Sequence, residues 1–422
     1  MRHRHLVLAL LCALGVVLYI DRVCISVALP RIQEDLRIAP EHLGWISVAF
    51  SIAYAAFEIP SGHLGDRAGP RRVLTRIVVW WSAFTALTGA AMGLPSLLVT
   101  RFLFGAGEAG AWPNASIAIA RWFPLRKRAT AMGAFGAATQ VGGALSPLIV
   151  VPIQQRFGWR ASFFVFAVLG VAWAIAWYAW FRDTPAQKAG VRAVELEETA
   201  GAPPPPAHGL PWRVALRSGT MWSLMASWFA AVYCGYFSVF WMPTYLVKAR
   251  AFGEGELRWV AVAWIAGMLG NAGGGATSDA LVTRFGLGRG RRVAAGVGLG
   301  AAGIAYAALA VTHDKVAVIA ILSVAFALWG FFQANGFAVC IDVGRSHAGT
   351  VAAAMNTAGQ LGGAISAVVF GYIAKVSGSY DVPIVVMAVV AVAGTAPWWF
   401  IDASRELVVA DAPPVAPVAV AH

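Results

Sequence analysis

The chain has 422 residues, of which 59% are hydrophobic and only 12% charged, with a mean hydropathy of +0.69. A soluble domain carries about 25% charged residues, so a water-soluble globular protein is excluded and a chain crossing a bilayer many times is predicted. The net charge of +12 reports sidedness and does not imply nucleic-acid binding. With the N-terminus inside, the segments assigned to the cytoplasm hold more than twice as many Lys and Arg as those on the other side.

Twelve apolar runs follow in order, at about 6–28, 43–62, 74–93, 95–120, 129–152, 161–181, 219–245, 259–281, 293–312, 316–340, 349–373 and 383–403. At helical rise each spans the hydrocarbon layer. The first imitates a signal peptide after Met1-Arg2-His3-Arg4-His5. Its length, its internal charges and the eleven spans behind it predict a retained first helix. Those charges are Asp21 and Arg22. A charge near mid-membrane costs roughly 2.5 to 3.5 kcal/mol even on a lenient scale. The fourth run adds Arg101 and Glu108, seven positions apart and so on one helix face. Unpaired, four such charges would cost on the order of 10 kcal/mol. An inert ion-pair cluster is the alternative, but apolar residues of similar volume usually stabilise a core as well. The four are read as lining a central path for an anion and a proton.

The first external loop is expected from Pro30 to His42. After the second run comes a tight basic turn, Gly62-His63-Leu64-Gly65-Asp66-Arg67-Ala68-Gly69-Pro70-Arg71-Arg72, and near the matching point of the second half stands Gly275-Ala276-Thr277-Ser278-Asp279-Ala280-Leu281. A sharper repeat pairs Gln140-Val141-Gly142-Gly143-Ala144-Leu145-Ser146-Pro147 with Gln360-Leu361-Gly362-Gly363-Ala364-Ile365-Ser366-Ala367. Two matches at half-chain offset predict two homologous six-helix halves. The expected boundaries are 1–182, a cytoplasmic linker 183–217, a second bundle 218–404 and a disordered tail 405–422. The linker holds a proline run, Pro203 to Pro206, and is expected to be weakly structured elsewhere.

Several motifs lead nowhere. Gly105-Ala106-Gly107-Glu108-Ala109-Gly110 fits G-x-G-x-x-G, but no strand precedes it and it lies in a span. Asn114-Ala115-Ser116 fits a glycosylation pattern inside the membrane, and no G-x-x-x-x-G-K-[ST] occurs. The four cysteines (Cys12, Cys24, Cys234, Cys340) sit in spans as buried thiols. All eight histidines fall in loops, termini or the linker. No metal, cofactor or enzyme chemistry is expected, because a membrane transferase would want His or acidic clusters near the interface.

Taken together, these features resemble the major facilitator superfamily. The turn after the second span matches its loop signature, G-x-L-x-D-R-x-G-x-R-R, at Gly62, Leu64, Asp66, Arg67, Gly69, Arg71 and Arg72. Within it, Tyr19-Ile20-Asp21-Arg22, Arg101 to Pro113 and Phe240-Trp241-Met242-Pro243-Thr244-Tyr245-Leu246 resemble the anion:cation symporter family of sugar-acid, hexuronate and phthalate permeases. The resemblance covers residues 6 to 403. It implies an all-α fold of twelve transmembrane helices in two pseudo-symmetric bundles. It implies secondary active transport by alternating access: proton-coupled symport of a small organic anion, such as a sugar acid. Aromatic carboxylate uptake, and efflux or exchange of organic anions or drugs, are the alternatives. Asp21 and Glu108 would be proton sites, and Arg22 and Arg101 anion sites. Tyr54 and Gln140 match positions lining the family's pocket. Asp66, Arg67, Arg71 and, more weakly, Asp279 would gate it.

The chain departs from the pattern at Glu58, where glutamine is expected, and at Ala367, where proline is frequent. Glu58, one turn from Tyr54, adds a third titrating group. In the second half, Asn356 and Gln360 lie one turn apart, and Gln360 mirrors Gln140. Tyr233, Tyr236, Trp329, Gln333 and Asn335 are weaker candidates for the same cavity. Arginine suits the task because its planar fork meets a carboxylate with two parallel hydrogen bonds and stays charged. The expected setting is a monomer in a bacterial inner membrane, both termini cytoplasmic.

Overall fold

A computed structural model of the chain describes residues 3–39, 42–201 and 204–407. Every apolar run becomes a helix or a broken helix pair, and no strand occurs among the described residues. The first half holds α1 (His3–Asp35), α2 (Leu43–Ala68), α3 (Pro70–Gly89), α4 (Leu94–Glu108), α5 (Ala111–Trp122), α6 (Arg128–Phe157) and α7 (Trp159–Trp180). Two short helices follow in the linker, α8 (Ala193–Thr199) and α9 (Trp212–Ala215). The second half holds α10 (Gly219–Phe240), α11 (Met242–Arg250), α12 (Val260–Phe285), α13 (Leu287–Val311), α14 (Lys315–Gly344), α15 (Ala348–Ser377) and α16 (Asp381–Trp398). Among the described residues, seven segments are long and apolar enough to cross a bilayer unaided, and the bent pair α10–α11 makes an eighth. The outer faces are apolar and exposed, as at Val168, Ile175, Ile304 and Val368. That is the pattern expected where lipid is the solvent.

Three features differ from the expected spans. First, α1 continues past the loop expected from Pro30 and takes that proline inside the helix. Buried Ile32 packs with Ile38, Ile46 and Trp159, so apolar contact offsets the lost backbone hydrogen bond. Second, the fourth span is broken directly after Glu108. Gly110 has φ +90°, and a Cβ there would come within 2.3 Å of Ser61 Oγ. Only glycine suits that turn. Third, the seventh span bends by 61° between α10 and α11, near Trp241 and Pro243.

The halves meet along α2–α15 and α6–α12, with α5 against α14 and α15. Trp112 of α5 stacks on Phe337 of α14 at 4.8 Å. These contacts gather at the end of the molecule that carries the linker, the linker face. The approach is close because the residues are small. A Cβ on Gly62 would lie 2.5 Å from the Gly349 carbonyl oxygen, and one on Gly275 would lie 2.1 Å from that of Ala129. Gly62→Val is therefore expected to wedge the seam apart, since overpacking of this kind costs about 1–3 kcal/mol. Labelling of Ala353→Cys by a water-soluble maleimide should then rise on the order of tenfold. Unchanged labelling would mean that the seam has slack.

The linker is more ordered than its composition suggests. Glu195 of α8 is buried and accepts hydrogen bonds from the backbone N–H groups of His3 and Arg4, both at 3.2 Å. It thereby caps α1, whose first N–H groups otherwise lack partners. Glu198 pairs with the Arg4 guanidinium. Further on, Pro204 lies over Asp66 and Arg121 of one half and Arg345 of the other. His347 Nε2 lies 3.2 Å from the His208 carbonyl oxygen. In the tail, the Leu407 N–H donates to Val343 O at 2.8 Å. The disorder expected there, from residue 408 on, and Pro203 of the proline run lie outside the described residues.

Candidate functional site

Arg22 projects from the middle of α1 toward the boundary between the halves. Its Nε donates to Glu108 Oε1 at 2.9 Å, and its Nη2 pairs with the same oxygen. Three rings surround the guanidinium: Tyr19 at 5.4 Å, Phe50 at 5.2 Å and Tyr54 at 5.0 Å. Glu108 is fully buried, whereas the Arg22 side chain keeps 22% of its surface accessible. Tyr19, Tyr236 and Gln360 are also only half-buried, and Arg22 feels Tyr236 across the boundary. These partly accessible side chains mark a central level where α1, α10 and α15 face one another across the boundary.

The second pair is arranged differently. Asp21 and Arg101 are each 2% exposed. Arg22, the chain neighbour of Asp21, turns to Glu108, which leaves Arg101 of α4 as the cation that acts on Asp21. Asp21 faces the Trp81 indole N–H without a hydrogen bond of good geometry to either oxygen among the described residues, and Arg101 makes no ion pair within 4 Å there. Arg101 instead covers the Phe104 ring at 4.0 Å. Burying two opposite charges without contact is expensive. Of the four charges singled out in the sequence, Arg22 pairs with Glu108, while Asp21 and Arg101 make no direct ion pair among the described residues.

From the second half, Asn356 and Gln360 reach the same level. Asn356 Nδ2 donates to Glu58 Oε1 at 2.6 Å, across the boundary, and its Oδ1 accepts from Trp228 Nε1 at 3.1 Å. Gln360 Oε1 accepts from the Tyr236 hydroxyl. Gln140 is 5% exposed, and its Oε1 has no partner among the described residues. Tyr233 packs beside Phe229 in the apolar core, so Tyr236, one turn on, is the tyrosine that meets Gln360.

On the linker face, two aspartates cap helices of the opposite half. Asp66 at the end of α2 accepts from Gly349 N and Thr350 N, both at 2.8 Å, and from Thr350 Oγ1 at 2.6 Å. Asp279 near the end of α12 accepts from Thr130 N and Oγ1, both at 2.7 Å. Neither α15 nor α6 has a side-chain cap of its own. Each therefore depends on the other bundle for its orphan N–H groups. Around Asp279 runs a buried chain. Arg291 donates to Asp279 Oδ1 at 2.8 Å and to Asp342 Oδ2 at 3.0 Å, and Arg128 of α6 donates to Asp342 Oδ1 at 3.1 Å.

Residues 11–367 match the family model described as Major Facilitator Superfamily. A probable sulfoacetate transporter of Cupriavidus necator is 34% identical over 394 residues, covering 91% of this chain and 90% of that protein. The chain belongs to the major facilitator superfamily. A hexuronate transporter of Bacillus subtilis is 32% identical, with 87% of each chain covered. The solved proton:xylose symporter XylE shares the fold at TM-score 0.75 with 13% identity, covering 95% of this chain and 97% of that one. This facilitator is thus an integral, multi-pass membrane transporter and not an enzyme.

Within that fold the loop signature divides. Asp66 reaches the opposite bundle, whereas Arg67 is exposed and takes no part in the seam. Arg71 stays in the first half, with its N–H on Asp183 and its guanidinium on the Tyr178 carbonyl. Sequence reasoning missed Arg128, Asp342 and Arg121, whose Nη2 donates to the Asp66 carbonyl at 3.2 Å. A cue was available: charged residues within a few positions of a span's end, next to a helix start that lacks a capping side chain.

Proposed function

We propose that this facilitator is a proton-coupled importer of a small organic anion carrying a carboxylate or sulfonate, working by alternating access. One observation carries the reading: two guanidiniums deep in the first bundle, Arg22 partly accessible and held by Glu108, and Arg101 buried and without an ion pair among the described residues. A bound anion would take the Arg22 fork from Glu108. Glu108 would then be left buried without its counter-charge and would bind a proton, so anion and proton enter together. By linkage each favours the other's binding. Asp21, beside Arg101, is the second proton site. Tyr54, Gln140, Gln360 and Asn356 would offer hydrogen bonds to the rest of the solute. Hydroxylated acids such as hexuronates suit these groups, and so does sulfoacetate. The names of the relatives favour the same chemistry.

The excess of Lys and Arg on the linker face supports placing it in the cytoplasm, in a bacterial inner membrane. With the Asp66 and Asp279 caps closed there, the described state would face outward.

The test is uptake into proteoliposomes of labelled sulfoacetate, glucuronate, galactonate and phthalate. An inward proton gradient should drive accumulation of at least one, and a protonophore should abolish it. Accumulation only against an outward gradient would make the protein an exporter. No proton dependence for any transported acid would reject symport.

A further inference from the structure

We propose that Glu58 is a proton-controlled latch between the bundles: its carboxylate, held by Asn356, keeps the linker face closed, and its protonation releases that face to open. The inference rests on the alternating-access reading above, and it concerns a position where the chain departs from the family pattern.

The geometry is a ladder. On α2, Asp66, Gly62 and Glu58 follow one another at single-turn spacing. Opposite them on α15 stand Gly349 with Thr350, then Gly349 with Ala353, then Asn356. Glu58 is the rung nearest Arg22 and is fully buried. Its Oε1 takes the Asn356 hydrogen bond, while Oε2 has no hydrogen-bond partner among the described residues. The Asn356 amide cannot turn round, because its oxygen accepts from the Trp228 indole N–H. Asn356 therefore always presents a donor, which an ionised carboxylate accepts best. The groups facing Glu58 are Arg22 of α1, Glu108 of α4, Tyr54 on its own helix, Tyr236 of α10 and Asn356 of α15.

Parting α2 from α15 strips the donor from Glu58 and leaves a bare carboxylate between the bundles. A proton on Glu58 removes that penalty and weakens the bond in the closed state. Hydrogen bonds to an ionised group are roughly twice as strong as neutral ones, a difference of about tenfold in the closed-to-open ratio. The central charges sharpen the point. Arg22 and Arg101 face Asp21, Glu58 and Glu108, so the fully ionised centre already has one negative charge in excess before an anion arrives. Glu58 gives the cycle a proton site that a glutamine there would not.

The test needs no cargo. Spin labels at Arg72→Cys and Arg284→Cys, exposed on the linker face of opposite halves, report its opening in full-length protein in nanodiscs. Cys12 is replaced by serine, the other three cysteines being buried. The closed population should rise with pH. Glu58→Gln should remove that rise and hold the closed-to-open ratio about tenfold below the alkaline wild-type value. Asn356→Leu should have the same effect, and the double variant should be no worse than either single one. A Glu58→Gln protein that keeps the wild-type pH response, or a double variant whose effects add, overturns the latch. Because the readout is free of substrate, a failed latch with intact anion uptake leaves the transport reading standing. An intact latch with no anion uptake rejects only the cargo.

Discussion

Replacing Arg22 by glutamine is expected to reduce anion uptake by on the order of 100-fold or more. Removing one member of a buried, hydrogen-bonded charge pair costs about 3–5 kcal/mol, and each 1.36 kcal/mol is a factor of about ten. Two losses combine here: the solute loses its guanidinium fork, and Glu108 is left buried without its partner. Arg22→Lys should do little better, because an ammonium cannot bridge two oxygens or lie flat among Tyr19, Phe50 and Tyr54. Glu108→Gln makes the contrast. It should abolish accumulation driven by a proton gradient while preserving exchange of labelled for unlabelled anion. The measurements are initial uptake and counterflow in proteoliposomes, with the melting temperature as a check on folding. Uptake by Arg22→Gln within threefold of wild type would remove this residue from the anion site.

The second large effect is expected at the linker face. Asp66→Ala and Asp279→Ala each remove an N-terminal cap, a loss of about 0.5–2 kcal/mol. Each should shift the closed population toward open by roughly 2- to 30-fold. The sites lie on separate helix pairs, α2–α15 and α12–α6, so the two shifts should multiply. Asp66→Asn keeps an acceptor oxygen and should recover part of the loss. Turnover should change in all three variants and substrate affinity in none. The label pair on Arg72→Cys and Arg284→Cys reads the shift. Closed populations that match wild type in the double variant would show that the caps do not set the equilibrium.

Much of the architecture was legible because a bilayer leaves little choice. A span needs about 20 apolar residues, and a buried charge within one is costly enough to stand out. Asp21, Arg22, Arg101 and Glu108 were visible for that reason, but their pairing was not. Adjacent residues on a helix point about 100° apart, so Asp21 and Arg22 diverge, one toward the side of Arg101 and the other toward Glu108. The break after Glu108 was foreshadowed only by a glycine-rich stretch that small-residue packing would also explain. Gly110 becomes necessary only once Ser61 is known to sit against it. Arg71 looked like Asp66 because both lie in the signature, yet it starts a different helix and turns back toward α7. Asp342 and Arg128 are 214 positions apart in the chain, and nothing local marks them as partners. Tyr233 and Tyr236 differ by one turn, and only the position of Gln360 separates them.

The reciprocal aspartate caps have a consequence for the chain as a duplicated object. Each six-helix half ends one of its own helices in bare N–H groups and carries, elsewhere, the carboxylate that would finish its twin. A half expressed by itself would lack that complement, and joining the two by co-expression should restore it. The handshake therefore rewards keeping both copies in one polypeptide.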